Sequence, residues 1–177
     1  MNRKRVAISE RMRGFTIVEL LIVIVVIGIL AAIVIVAYNG VQGKARDNRR
    51  VADMQSIQKA LEVYKTLNGN YPNYDSGNES PDGWESSYVT GTFIKALKTG
   101  GAITTTTPVD PINNSTSYYR YYRYTAGQYG CDSTRGDYYV LQIKKLDATT
   151  ASAGPGFQCS GRNWAAAGSW TGGGYVN

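Results

Sequence analysis

The feature that most constrains this chain is the stretch Leu20–Val36, LLIVIVVIGILAAIVIV, an apolar run with no charged side chain. Extended outward from Phe15 to Tyr38 it covers 24 residues, with Glu19 as the one acidic or basic side chain. A helix that is apolar on every side has no face for water and must be enclosed by protein or by lipid. At 1.5 Å per residue the run measures roughly 36 Å, enough to cross a hydrocarbon core of about 30 Å. A buried core helix fits poorly, because a soluble domain this small has too little other apolar surface to enclose it. The expectation is a membrane-length helix over residues 15–38.

Charge sharpens that expectation. The 177 residues hold 19 Lys and Arg against 13 Asp and Glu, a net of +6, which taken alone points to nucleic acid or anionic lipid. Residues 1–14 carry Arg3, Lys4, Arg5, Arg11 and Arg13 against Glu10, so +4 of the +6 sits ahead of the apolar run. A basic segment before an apolar one is the layout of a secretory signal, which is cut after the apolar part at a small-x-small site. Here the far side reads Ala37-Tyr38-Asn39-Gly40, without that pattern. The small residue lies before the run, in Arg13-Gly14-Phe15-Thr16-Ile17-Val18-Glu19. A cut after Gly14 would remove the basic leader 1–14, keep the helix and leave Phe15 as the new N-terminus.

The segment MRGFTIVELLIVIVVIGILAAI resembles the N-terminus of type IV pilins and the related pseudopilins, in which a G-F-T-x-x-E-L pattern opens an apolar helix. The resemblance implies a prepilin with a class III-type leader, cut after Gly14 by a membrane prepilin peptidase, with the amine of Phe15 then methylated. It also implies an α+β fold, in which a long N-terminal helix packs against a small antiparallel sheet. Val36 stands where many members of that family carry proline.

Glu19 needs its own account. A carboxylate inside hydrocarbon costs on the order of 2.5–3.5 kcal/mol on insertion scales, so a partner is expected. Phe15 and Glu19 are spaced i, i+4, and one chain could neutralise its own new amine. The resemblance implies pairing between subunits, Glu19 of one helix meeting the Phe15 amine of a neighbour in a filament. Such a pair sets register, since sliding by one helical turn leaves a buried charge uncompensated at ~3–5 kcal/mol. The plainer alternative is a glutamate near the membrane interface that reaches toward headgroups.

Past Tyr38 the pattern becomes amphipathic. Val51, Met54, Ile57, Leu61 and Tyr64 recur at helical spacing within residues 39–68, and Asn68-Gly69 is a helix stop. The helix is expected from about Thr16 to Leu67, roughly 75–80 Å if unbroken. Lys44, Arg46, Arg49 and Arg50, with Asp47 and Asp53 among them, read as a solvated face with i, i+3 and i, i+4 pairs rather than a phosphate-binding cluster. Residues 69–117 contain Pro72, Pro81, Pro108 and Pro111 and read as an irregular connector with a short helix at Tyr88–Thr99. Within it, Tyr71-Pro72 and the Pro108, Asp110, Pro111 turn are similar to segments that lead into the sheet in major pseudopilins and related pilins.

Residues 118–177 should form the sheet and a closed C-terminal region. Tyr118–Thr125 and Asp137–Lys145 are strand candidates, with Tyr139, Leu141 and Ile143 facing the striped helix. The Tyr-rich stretch with Arg120 and Arg123 reads as a sheet that buries its rings and keeps its hydroxyls wet, in preference to a nucleic-acid or glycan platform. The last 30 residues are Gly-rich and bury too little apolar surface to order themselves. In an exported domain Cys131 and Cys159 could close a loop of roughly 27 residues, a stabilisation of ~3–4 kcal/mol in the chain-entropy model; two free thiols are the alternative. The pair is consistent with pilins, where a C-terminal disulfide bounds a variable surface region. Trp164, Trp170 and Tyr175 are either anchors on the sheet or exposed contacts. Asn78, Asn113 and Asn114 match the N-glycosylation pattern, as Asn/Ser-rich loops do by chance.

For function, the absence of His removes imidazole metal centres and His acid–base relays, and two Cys cannot build a four-ligand zinc site. With no nucleophile elbow and no Gly-rich phosphate loop, no catalytic residue, metal or cofactor is expected. The leading expectation is a pilin, inserted once in the cytoplasmic membrane and polymerised with copies of itself into an extracellular type IV pilus for adhesion, twitching motility or DNA uptake. Its partners would be the prepilin peptidase and the inner-membrane assembly machinery; nucleic acid has no motif to support it. The alternative is a pseudopilin of a type II secretion system or a competence pilin, toward which a calcium site near Asp110, Asp132 or Asp137 would point. A membrane-anchored enzyme is the reading from another class, and no constellation carries it.

Overall fold

The computed structural model describes residues 15–148 and 154–177, and the chain divides into two compact units that meet at residues 39 and 40. Helix α1, Ile17–Asn68, provides the regular structure of the first unit and continues into the second. In the first unit every large apolar side chain from Phe15 to Ile35 is exposed. The backbone stays helical through Gly28, Val36, Gly40 and Gly43. It stops at Asn68 because Gly69 turns left-handed (φ +80°) and its N–H closes on the Lys65 carbonyl at 2.8 Å, the usual glycine stop.

The second unit is built on a four-stranded antiparallel sheet of order β1-β2-β3-β6: β1 Glu85–Ser86, β2 Tyr119–Tyr124, β3 Tyr138–Ile143 and β6 Trp170–Tyr175. A separate two-residue hairpin pairs β4, Gln158–Cys159, with β5, Arg162–Asn163. Both strands read from the sequence form, within a residue or two of the expected bounds. The helical stripe lies on one face of the sheet, where Met54, Ile57 and Leu61 pack with Tyr119, Tyr121, Tyr139, Leu141, Ile143 and Trp170. Fully burying each aliphatic member contributes about 1.5–3 kcal/mol. The opposite face is covered as well: Tyr138 and Val140 pack with Trp84, Tyr124, Trp164 and Cys131. Trp164 and Trp170 are thus anchors, one on each face.

Four expectations need correction. The short helix at 88–99 shrinks to α2, Ala96–Thr99. Ahead of it Gly91 and Ile94 have positive φ, and side chains claim the backbone groups a helix would use. Asn78 accepts from the Thr90 N–H and donates to the Thr92 carbonyl, while Glu85 accepts from the Ile94 N–H. Next, the Gly-rich tail contains the edge strand β6. Its glycines are there because the neighbours come too close for a side chain: a Cβ on Gly173 would lie 2.4 Å from the Phe157 ring and 2.7 Å from the Tyr139 carbonyl oxygen. Third, the buried tyrosines do not keep their hydroxyls in water. Tyr119 donates to Asp53 at 2.9 Å, Tyr121 to the Pro72 carbonyl at 2.7 Å and Tyr138 to the Gln128 carbonyl at 3.1 Å. Finally, the basic cluster is a solvated face only in part: Lys44 and Arg49 are exposed and Arg49 lies 3.9 Å from Asp53, an expected i, i+4 pair, but Arg50 is buried, as described below.

Candidate functional site

At the start of the helix the sequence Thr16-Ile17-Val18-Glu19 sets residues 16 and 19 one turn apart. The Glu19 carboxylate accepts from the Thr16 N–H and hydroxyl, both at 2.8 Å, and the Thr16 hydroxyl accepts from the Glu19 N–H at 3.2 Å. This reciprocal pairing satisfies N–H groups that have no partner within the helix. It engages one oxygen of Glu19, Oε2; Glu19 is exposed, and so is Phe15, at 83%. The i, i+4 relation between Phe15 and Glu19 is present, but among the described residues the side-chain partner of Glu19 is Thr16. Sequence reasoning missed Thr16, although the Thr-x-x-Glu spacing ahead of an apolar run carried the signal. Gly14 and the basic leader lie outside the described residues.

A second constellation, within the second unit, arises where the basic cluster of α1 meets the Pro108–Pro111 turn. Arg50 is completely buried. Its Nε donates to Asp110 Oδ2 at 2.7 Å and its Nη2 to Asp110 Oδ1 at 3.2 Å, a two-pronged pair. Nη2 also reaches the Ser117 hydroxyl at 3.0 Å, and Nη1 donates to Asp47 Oδ1 at 2.7 Å and lies 3.1 Å from Asp147 Oδ2. Asp47 then accepts the N–H groups of Asp147 and Ala148, at 2.9 and 2.8 Å, and Arg46 Nε donates to Asp147 at 2.6 Å. Burial alone would disfavour the charged guanidinium of Arg50; Asp110, Asp147 and Asp47 more than offset it and raise its pKa. At Asp147 burial pushes the carboxyl up, but Arg46 and Arg50 hold it below the usual range. One buried guanidinium therefore ties together the helix, the proline turn and the segment after β3.

The other expected residues separate. Cys131 and Cys159 are joined in a disulfide, with Cα atoms 4.9 Å apart, so the free-thiol alternative falls. Asp110 belongs to Arg50, Asp132 caps the following turn by accepting from Thr134, and Asp137 accepts from Asn70 and the Ala126 N–H. They share no site, and among the described residues no group of three or more His, Cys, Asp or Glu is placed to hold a metal. Asn78 is buried and committed to Thr90 and Thr92.

Residues 11–35 match the prokaryotic N-terminal methylation motif, and residues 37–138 match the family model for type II secretion system (T2SS), protein G. The chain is 33% identical over 130 residues to the type II secretion system core protein G of Aeromonas hydrophila, covering 69% of this chain and 79% of that one. Its match to the protein of the same name from Escherichia coli K12 is 39% identical over 72 residues, 41% of this chain and half of the relative's length. A fimbrial protein of Neisseria meningitidis is 29% identical over 103 residues, 58% of this chain and 59% of that protein. No solved structure matches. The leader motif, the long helix on a small antiparallel sheet and the match over more than half its length make this chain a pilin-like protein of the type II secretion system protein G family.

Proposed function

We propose that the chain is a pseudopilin, the subunit of a filament that serves a type II secretion system. Cut after Gly14 by a prepilin peptidase, it waits in the cytoplasmic membrane on the apolar half of α1. It then polymerises with copies of itself, drawn in by inner-membrane assembly machinery. The observation that carries this reading is the exposure of every large apolar side chain from Phe15 to Ile35. A surface of that kind is soluble only in lipid or among copies of itself.

Glu19 supplies the register. Its carboxylate already braces the helix start through Oε2, and the other oxygen is available to the amine that cleavage creates on Phe15 of a neighbouring subunit. The chain itself does no chemistry. Processing is tested by N-terminal sequencing and mass of purified protein, which should begin at a methylated Phe15. Assembly is tested with Glu19→Ala: the protein should insert and be cut, yet form no filaments. Normal filaments from that variant remove the ionic register from the proposal.

The type IV pilus remains the second reading, supported by the Neisseria fimbrial relative and by the disulfide-closed surface region. Deleting the gene separates the two. A pseudopilin's loss blocks export of secreted proteins without removing long surface fibres, whereas a pilin's loss removes the fibres.

A further inference from the structure

On the face of the sheet away from α1, an open cleft of about 230 Å³ lies between the Asp82–Trp84 loop, β2 and the two loops joined by the disulfide. Its walls are Trp84, Tyr122, Tyr124 and Tyr129, with Asp82 and Arg162 at the rim. Trp84 and Tyr124 are buried and belong to the core on this face, so packing explains them. Packing does not explain Tyr129, which is 45% exposed and has φ +51° and ψ +30°. That left-handed conformation is unfavourable for an aromatic residue, and strain of this kind gathers at binding sites. The fold imposes it from both sides. Gly127 and Gly130 flank Tyr129 with positive φ, the Gly161 N–H binds the Tyr129 carbonyl at 2.9 Å, and the Cys131–Cys159 bond holds the two loops together. The result is a ring nearly perpendicular to those of Tyr124 and Trp164, at 86° and 88°, with the Arg162 guanidinium over it.

The polar groups are arranged in a complementary way. Asp82 is neutralised by Arg120, whose guanidinium lies 4.6 Å over the Trp84 ring. Arg162 lies 4.9 Å from the Tyr129 ring centroid, and among the described residues its guanidinium makes no ion pair. One positive charge and its planar set of donors thus remain beside aromatic faces. Aromatic faces suit the C–H face of a pyranose ring, and a guanidinium suits a carboxylate. The cleft has room for about one sugar ring rather than a larger ligand.

We propose that this cleft binds an acidic saccharide, a uronic-acid unit. Its carboxylate is held by Arg162, whose guanidinium lies over the Tyr129 ring, its sugar ring packs against the Tyr129 side chain beside that pair and a hydroxyl donates to Asp82. The proposal does not depend on which filament the chain builds.

The test is calorimetric titration of the full chain in a sugar-free detergent. The probes are cellotriose, its fully oxidised triuronate and a triglutamate peptide. The triuronate should bind at least ten times more tightly than cellotriose. Arg162→Gln should cut that preference below threefold. Tyr129→Gly should weaken both saccharides at least tenfold while leaving the melting temperature unchanged or higher, because glycine accepts the left-handed backbone without strain. That combination separates a binding role from a structural one. The proposal is overturned by any of three results: no binding of the triuronate at millimolar concentration, unchanged affinity in Tyr129→Gly, or triglutamate binding as tightly as the triuronate.

Discussion

Asp110→Ala is the sharpest probe of how the second unit is held together. The substitution strips Arg50, which has no solvent exposure, of both prongs of its closest pair. Removing one partner of a buried pair costs ~3–5 kcal/mol. Asp47 and Asp147 remain beside the guanidinium, so the lower end, about 3 kcal/mol, applies. Asp110 also accepts from the Ile112 and Asn113 N–H groups and from the Ser117 hydroxyl. Ile112 is 43% exposed, so water can replace part of those bonds and their loss adds only about 1 kcal/mol. For a unit of this size each kcal/mol moves Tm by about 3–4 °C, and the expected drop is about 12–16 °C. Near-ultraviolet circular dichroism of the full chain in detergent at pH 7 reads it. Asp110→Asn keeps an acceptor for the turn and should lose somewhat less. Arg50→Met combined with Asp110→Leu should recover at least half of the loss, because it removes the stranded charge rather than exposing it. A drop below 3 °C in Asp110→Ala, or a double variant no better than the single, would refute a buried ionic clasp.

Two further outcomes follow from the packing. Burial pushes the Glu85 carboxyl up to about 7, aided by Asp75 and opposed by the N–H groups of Asp75 and Ile94. Its folded pKa lies above its unfolded one, so its contribution is complete below about pH 4.5 and is lost as pH rises to about 7. The loss is about 3 kcal/mol. Tm should therefore fall by about 10 °C from pH 5 to pH 8, and a melting series of Glu85→Gln should be flat across that window. Gly173→Ala puts a methyl group against the Phe157 ring and the Tyr139 carbonyl. It should cost about 2–3 kcal/mol as overpacking, read as a Tm lower by about 6–12 °C; an unchanged Tm would mean that Phe157 yields freely.

What the sequence made legible was whatever repeats with a period. The apolar run and the stripe from Val51 to Tyr64 gave α1, and the alternation of Tyr139, Leu141 and Ile143 gave the helix-facing side of β3. Strand β6 had no such signal: WTGGGY reads as loop because glycine has low strand propensity. Pairing with β3 makes it a strand, and its neighbours require the glycines, since the Phe157 and Tyr139 rings and the Tyr71 hydroxyl crowd onto them. Strand β1 is two residues long, too short for any period, and is fixed by pairing to β2.

The sites divide along the same line. Glu19 stood out because a lone carboxylate in an apolar run is costly, and the disulfide because only two cysteines exist. Arg50 could not be singled out, because nothing local separates it from Lys44 and Arg49. Lys44 and Arg49, like Arg50, have an acidic neighbour at helical spacing, and burial depends on a turn 60 residues away that carries Asp110. Charge pairs read from a helix alone are therefore pairs in water by default. One of them becomes a structural joint only when another segment brings a carboxylate and excludes the solvent. The same logic bears on Glu19, which is exposed and, among the described residues, engaged through one oxygen; the proposed assembly would supply the second half of its pair. Burial among neighbouring helices would turn it from a local cap into a register mark, as burial turns Arg50 from a surface charge into a clasp.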